Sequence, residues 1–254
     1  MPHTLDKPIT AALGKPAYII HQGVAALALM DESAILRELE RNPTYRMPSL
    51  IAIVIPRDTH TPEQLETNGY RHITDRIDMY LHITDDDRSS LVDRCGVYNE
   101  ELRTAVQHIS MRCQKYARAN MDEQLQNSAD SIRMHQTNRQ IRHGNRLHVK
   151  TANDGRFVGF IALNDYDHPY EGTKKAKTHL HDTYSRIGLL CVEPSRSGES
   201  HGRDLMDAAI LSTPSVPTAL IAGVSDRNKG AIKFYEACGF RPGHVFSIYH
   251  KVWI

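Results

Sequence analysis

The sequence is short of the features that would place it outside the ordinary globular classes. It has four cysteines in 254 residues, Cys95, Cys113, Cys191 and Cys238, and none stands in a CxxC or other short paired spacing. Such a pattern offers no disulfide framework, and a reducing cytoplasm is the expected compartment. Net charge is +1 with the histidines neutral, so no global field draws the chain towards nucleic acid or a lipid surface. The apolar stretch at 17–30 is interrupted by His21 and Gln22 and falls short of the roughly 20 residues a membrane span needs. Residues 1–13 lack the basic-then-apolar order of a signal peptide. Neither a nucleic-acid nor a membrane partner is expected.

Metal chemistry has little support either. There are 15 histidines, but the nearest pair, His179 and His181, has no HExxH frame and no cysteine close by. The run Asp85-Asp86-Asp87 lacks the ligand spacing and the glycine of a calcium loop. Carboxylates suit a helix N-terminus, and a solvated turn or helix start is the expectation there.

What is present is an ordinary α/β pattern. Hydrophobic residues make up 40% of the chain and charged residues 24%, enough for a sizeable core at this length. Residues 17–20 and 50–55 (LIAIVI, closed by Pro56) read as strands, and 32–41 (ESAILRELER) as an amphipathic helix. Thr61-Pro62-Glu63 starts a helix that Asn68-Gly69 ends, and residues 70–83 follow as a strand. Helices are expected over 100–116 and 121–142. The second carries Arg133, Arg139 and Arg142 with Arg146 beyond it, a solvated face or the lining of an anion. Residues 147–151 and 156–163, joined by Asn153-Asp154-Gly155, form a hairpin. A polar loop over 165–181, a strand at 184–192, helices at 202–211 and 229–238, and strands at 218–224 and 246–253 complete the pattern. The acidic run at Asp85 is the expected boundary.

Two stretches carry chemistry. Residues 192–205 (VEPSRSGESHGRDL) take a strand through a proline and a loop of small residues into a helix. Such a loop aims backbone N–H groups into one cavity at a helix N-terminus, a place suited to a pyrophosphate. Residues 225–240 (SDRNKGAIKFYEACGF) place Asn228, an aromatic pair Phe234-Tyr235, and Cys238-Gly239-Phe240 on a second helix and its end.

Together these stretches resemble the two most recognisable motifs of the GNAT acyltransferases, V-x-P-x-x-R/Q-G-x-G/A-x-G-x-x-L and N-x-x-A-x-x-x-Y-E-x-x-G-F. The resemblance implies an α/β GNAT fold and acetyl-coenzyme A as co-substrate. It implies that Ser197, Gly198, Glu199, Ser200 and Gly202 bind the pyrophosphate, and that Leu190 and Val192 hydrogen-bond the pantetheine arm. Asn228 contacts the cofactor, and Tyr235 protonates the departing thiolate, a task a phenol can perform as general acid. The sequence departs from the family at two places. Ser197 stands where Arg or Gln is usual, with Arg196 one place early, and Ser200 replaces a glycine or alanine.

The rest of the chain is similar to bacterial sugar N-acetyltransferases of the dTDP-fucosamine acetyltransferase type, in which a partial GNAT-like unit precedes the catalytic one. The expected division is a partial unit over 1–90 and a catalytic GNAT domain over 91–254. Laid over the second motif, Glu66 falls on Glu236 and Gly69 on Gly239, while Leu65 falls on Tyr235 and cannot donate a proton. The tail at 246–253 is also similar to those of polysaccharide-pathway members. The implied reaction is acetylation of a primary amine, with a nucleotide-linked amino sugar as acceptor. The alternatives are a protein, peptide or other small-molecule amine, or a non-catalytic acyl-coenzyme A binding module. A homodimer is left open. An amine must lose a proton to attack. The position where some members carry a glutamate falls near Arg186, which cannot serve, leaving Tyr184, His181 and His201 as candidate bases.

Overall fold

The structure is a computed structural model and describes residues 3–5, 17–20, 50–57, 62–115, 118–143, 146–166, 184–213 and 218–252. The helix expected at 32–41, His179 and His181, and most of the polar loop lie outside these residues.

The described strands join in one ten-stranded sheet. They are β1 His3–Leu5, β2 Ala17–Ile20, β3 Leu50–Pro56, β4 Arg71–Ile83, β5 Gly96–Val97, β6 Arg146–Thr151, β7 Phe157–Tyr166, β8 Tyr184–Val192, β9 Thr218–Ser225 and β10 Arg241–Val252. The described helices are α1 Pro62–Thr67, α2 Asp85–Ser89, α3 Arg103–Cys113, α4 Arg118–Met121, α5 Ala129–His143, α6 His201–Ser212 and α7 Lys229–Ala237. Across the sheet the order is β1-β2-β3-β10-β4-β9-β8-β7-β6-β5. Among the described residues no helix is long and apolar enough to cross a membrane.

The acidic run is indeed a helix start: Thr84 caps α2, its hydroxyl accepting from Asp87 N while the Asp87 carboxylate accepts from Thr84 N. Three expected boundaries are corrected. The helix expected over 100–116 opens as a 3-10 turn at Glu100–Leu102, where the Asn99 side chain accepts from Leu102 N. The single helix expected over 121–142 is broken, because Asp122 holds an extended conformation (φ −98°, ψ 109°) and caps a 3-10 helix at Glu123–Ser128 before α5 begins. The last strand starts at Arg241 rather than 246. Pro242 and Gly243 obscured it, and the pairing with β4 slips between Pro242 and Val245.

The centre of the sheet is built by reciprocal exchange. β10 lies antiparallel to both β3 and β4, and β4 lies antiparallel to both β10 and β9. The courses β3-α1-β4 and β9-α7-β10 therefore interlock, each having its second strand inserted beside the other's first. The two helices also end alike. Gly69 N donates to Glu66 O at 2.9 Å and Tyr70 N to Leu65 O at 2.9 Å; Gly239 N donates to Glu236 O at 2.9 Å and Phe240 N to Tyr235 O at 3.0 Å. Both glycines are left-handed, at φ +80° and +90°, where a side chain would cost roughly 1–2 kcal/mol. Leu65 and Tyr235 thus occupy equivalent places.

Strand alternation gives the sheet two buried faces. Ile161, Leu163, Ile187, Leu220, Ala222 and Val224 pack with α6 and α7 on one face. Val149, Phe160, Ala162, Leu189 and Cys191 pack with α3 on the other. The side chains of Arg133 and Arg146 are committed to structure: Arg133 donates to Met111 O at 2.9 Å, and Arg146 to Ser185 Oγ at 2.5 Å and to Ser212 O.

Candidate functional site

The site begins where two strands part. β8 and β9 run parallel, and Tyr184 to Ile187 pair with Ala219 to Ala222; beyond Ile187 the pairing stops. The inner edge of β8 from Gly188 to Val192 therefore faces no β9 partner, and its backbone groups are available to a ligand that can lie between the strands. A bulge marks the divergence. β7 pairs with β8 through Ala162↔Leu189 and then Leu163↔Ile187, leaving Gly188 as the extra residue. A Cβ at Gly188 would stand 2.3 Å from Gln140 Oε1 and 2.6 Å from Asn164 Nδ2, so a side chain there would have to push both amide ends aside.

Past Val192 the chain forms a 3-10 turn at Pro194–Arg196 and then the loop into α6. Gly198 is left-handed (φ +90°), and a Cβ there would meet nothing within 4 Å, so the loop backbone borders open space. Ser200 is the N-cap of α6 by position, yet its side chain makes no capping hydrogen bond. Arg203 N already donates to Ser200 O at 2.9 Å, so the N–H groups of His201 and Gly202, with the positive end of the helix dipole, are left to a ligand. α6 and α7 approach closely at Gly202, where a Cβ would stand 3.1 Å from Phe234 Cε2.

These elements enclose a cavity of about 460 Å³ lined by Leu190, Val192, Ser197, Gly198, Ser200 and Gly202 from β8, the loop and α6, and by Phe234 and Tyr235 from α7. Seven of the nine residues that the resemblance assigned to the cofactor or the leaving thiolate meet there, together with the candidate base His201. Two do not line it. Glu199 turns to a neighbouring polar cavity of about 540 Å³, where it accepts from Arg196 Nε at 2.8 Å. Asn228 caps α7, its side chain accepting from Ala231 N at 3.1 Å; its neighbours Gly230 and Ala231 reach the cavity wall instead.

Tyr235 is 7% exposed and meets Phe234 and Phe240 edge-on, with ring centroids 5.5 and 5.1 Å away. Burial, together with nearby Cys191 and Cys238, pushes its phenol well above the usual tyrosine value. The hydroxyl thus keeps its proton at physiological pH. His201, the first residue of α6, is 9% exposed, and its Nε2 lies 3.3 Å from Glu199 Oε2. The Tyr184 side chain and His181 lie outside the described residues.

Sequence reading placed Arg196 only as an arginine one position early and missed its partners. This arginine bridges Glu199 and Asp154, the latter at 3.1 Å, and so ties the loop to the β6–β7 turn while also lining the cavity beside Ser197. Sequence reading missed the backbone at Ser200 too. At φ 63° Ser200 is the one described non-glycine residue with positive φ. The glycine or alanine usual at this place is a signal that could have indicated it. Thermal and coenzyme A binding measurements on Ser200→Gly and Ser200→Val are expected to rank Gly at or above Ser and Val lowest. The Gly–Val gap should be about 1–2 kcal/mol in stability, since a β-branched residue is least able to adopt this conformation. A valine variant as stable as wild type would refute the strain.

Comparison with known proteins agrees with this geometry. The profile of the acetyltransferase (GNAT) family matches residues 105–240, more than half of the chain. No curated protein sequence matches. Among solved structures the fold is similar to a functionally unknown conserved protein from Staphylococcus epidermidis (10% identity, 97% of this chain and 89% of that one, TM-score 0.61). It is also similar to a tandem GNAT protein from the clavulanic acid biosynthesis pathway (15% identity, 94% and 76%, TM-score 0.53). A third likeness is to Saccharomyces cerevisiae N-myristoyltransferase with bound myristoyl-CoA (10% identity, 94% and 60%, TM-score 0.52). At these identities the likenesses establish the fold, and the family match establishes the rest: the chain belongs to the GNAT acetyltransferases, N-acetyltransferases that carry an acyl group from acyl-coenzyme A to an amine.

Proposed function

We propose that this chain transfers an acetyl group from acetyl-coenzyme A to a primary amine by direct attack in a ternary complex. The observation that carries the reading is one cavity that joins the unpaired edge of β8, the uncapped N-terminus of α6 and the protonated hydroxyl of Tyr235. In this reading the backbone from Ser197 to Gly202 holds the pyrophosphate, and the edge at Leu190 and Val192 hydrogen-bonds the pantetheine amides. Tyr235 gives its proton to the leaving thiolate. Glu199 contributes its backbone while its side chain steadies Arg196. Asn228 acts by fixing the first turn of α7. His201 stands with the phosphate-binding loop, at the donor's anionic end, and is not assigned as the base for the amine.

We read residues 1–90 as a partial GNAT-like unit and 91–254 as the catalytic one. The interlocked courses β3-α1-β4 and β9-α7-β10 and their matching helix ends support this division. Leu65 stands where Tyr235 does, so the first unit has no proton to give and serves as scaffold. That arrangement, with the tail at 246–253, supports a sugar N-acetyltransferase of the dTDP-fucosamine acetyltransferase type acting on a nucleotide-linked amino sugar.

The deciding experiment measures free-thiol release from acetyl-coenzyme A against nucleotide-linked amino sugars, simple amines and peptide N-termini, with longer acyl donors in parallel. Turnover is expected to be fastest with acetyl and an amino sugar. A preference for peptides or simple amines would remove the sugar and leave acyl transfer standing. Cofactor binding without turnover on any amine would remove catalysis.

A further inference from the structure

The strands part on both faces of the sheet, and the face opposite the cofactor cavity carries a charge cluster that acyl-donor binding does not use. Ile187, Ala222, Val224 and Met79 point towards α6 and α7. By alternation, Arg186 of β8, Gly223 of β9 and Asp78 of β4 point the other way. Arg186 lies on the last turnings of the paired segment, one residue before Ile187, where β8 and β9 part. Its Nη2 donates to Asp78 Oδ1 at 3.1 Å, and Arg76 Nε lies 3.0 Å from the same oxygen. To reach Asp78 the guanidinium crosses β9 directly over Gly223, where a Cβ would stand 2.7 Å from Nη2. Glycine at this register is what lets the arginine pass.

The Asp78 side chain is 1% exposed, whereas those of Arg186 and Arg76 are each 23% exposed. Two guanidiniums thus meet at one buried carboxylate where the strands part. Arg186 makes no other hydrogen bond with a described residue. Its remaining N–H groups form a planar fork suited to a carboxylate or a phosphate. Across the sheet its neighbour on β7 is Asn164, whose Nδ2 donates to Gln140 Oε1 at 2.9 Å. The surface beside the fork is therefore polar.

We propose that Arg186, oriented by Asp78 across Gly223, binds an oxyanion on the acceptor, so that the amine this protein acylates belongs to a molecule bearing a carboxylate or phosphate. This rests on the acyl-transfer reading, with donor and acceptor entering the parted strands from opposite faces. Buried Asp78 is a positioning residue: it spends one edge of the guanidinium and aims the rest at the opening.

Matched amines separate this inference from the reading beneath it: ethanolamine against O-phosphoethanolamine, glucosamine against glucosamine 6-phosphate, and alanine amide against alanine. With acetyl-coenzyme A and the unaltered protein, the anionic member is expected to show kcat/KM at least about 10-fold higher in one or more pairs. The phosphate and carboxylate arms tell which oxyanion is preferred. In Arg186→Gln that ratio should fall to within about two-fold, and in Gly223→Ala, where the guanidinium is displaced, it should shrink in the same direction. Coenzyme A affinity and the thermal midpoint, measured on each variant, report an intact donor site and fold. Equal turnover of charged and neutral members by the unaltered protein would overturn the inference and leave acyl transfer standing. A preference that survives Arg186→Gln would overturn it as well. Absence of turnover with every amine, with cofactor binding intact, would take away the acyl-transfer reading and this inference with it.

Discussion

Tyr235→Phe is expected to lower kcat for thiol release by about 10²–10⁴-fold, the span usual for loss of a positioned general acid, while the coenzyme A dissociation constant stays within about two-fold. The substitution removes one oxygen and keeps the ring. The edge-on contacts with Phe234 and Phe240 at 5.5 and 5.1 Å persist, so stability should change by less than about 1.5 kcal/mol. In the proposed reaction the leaving thiolate needs a proton, and the buried Tyr235 hydroxyl on the cavity wall would supply it. Burial holds that hydroxyl in its protonated form well above the usual tyrosine range. The alkaline limb of the rate profile should therefore show no loss from this group up to about pH 10, the ordinary phenol value. A variant with wild-type kcat and a lowered thermal midpoint would make Tyr235 a core residue and nothing more.

The two halves of the site differ in how far they could be read from the chain. The loop at 197–202 and the helix carrying Tyr235 were legible because their requirements are local. A left-handed glycine, an uncapped helix start and a Schellman end at Gly239 each leave a mark within a few residues. The glycine at 69 left the same mark, and it exposed the likeness of α1 and α7. The strand exchange was not legible. Nothing local to residues 241–252 says that they insert between β3 and β4, since pairing partners are chosen by distant hydrophobic faces. Pro242 and Gly243 further concealed the first part of that strand. Arg186 was visible only as a residue unable to act as a base. Its partner Asp78 lies 108 positions away, and the glycine that lets them meet is on a third strand. Likewise Asp122 read as one polar residue inside a helical period, when its partners on β4 and β10 make it the helix breaker.

Asp122→Ala is expected to destabilise the fold by about 3–5 kcal/mol, the range for removing one partner from a buried charged cluster. The Asp122 side chain is fully buried, and it accepts from Arg71 Nη2 at 2.7 Å, Gln124 N at 3.0 Å and His250 Nδ1 at 2.6 Å. Arg71 and His250 are directly opposed across β4 and β10, so one carboxylate fastens the exchanged strands to the segment that leads into α5. Arg71 is 42% exposed and can turn to water, which leaves the fully buried His250 ring to suffer most of the loss. Asp122→Asn keeps the shape and some acceptor capacity, and about half the loss is expected there. Urea denaturation of the two variants measures both values, and a change below about 1 kcal/mol for alanine would refute the fastening role. The same carboxylate gives the effect a pH dependence. Burial raises its pKa, but the bond from His250, the Gln124 N–H and the Arg71 charge together bring it below the usual aspartate value. A carboxylate with a lowered folded-state pKa stabilises fully above its unfolded value near pH 4, and this contribution is lost as pH falls through the folded one. The part of the stability gap between wild type and Asp122→Ala that this carboxylate's ionisation supplies should therefore be lost below about pH 4.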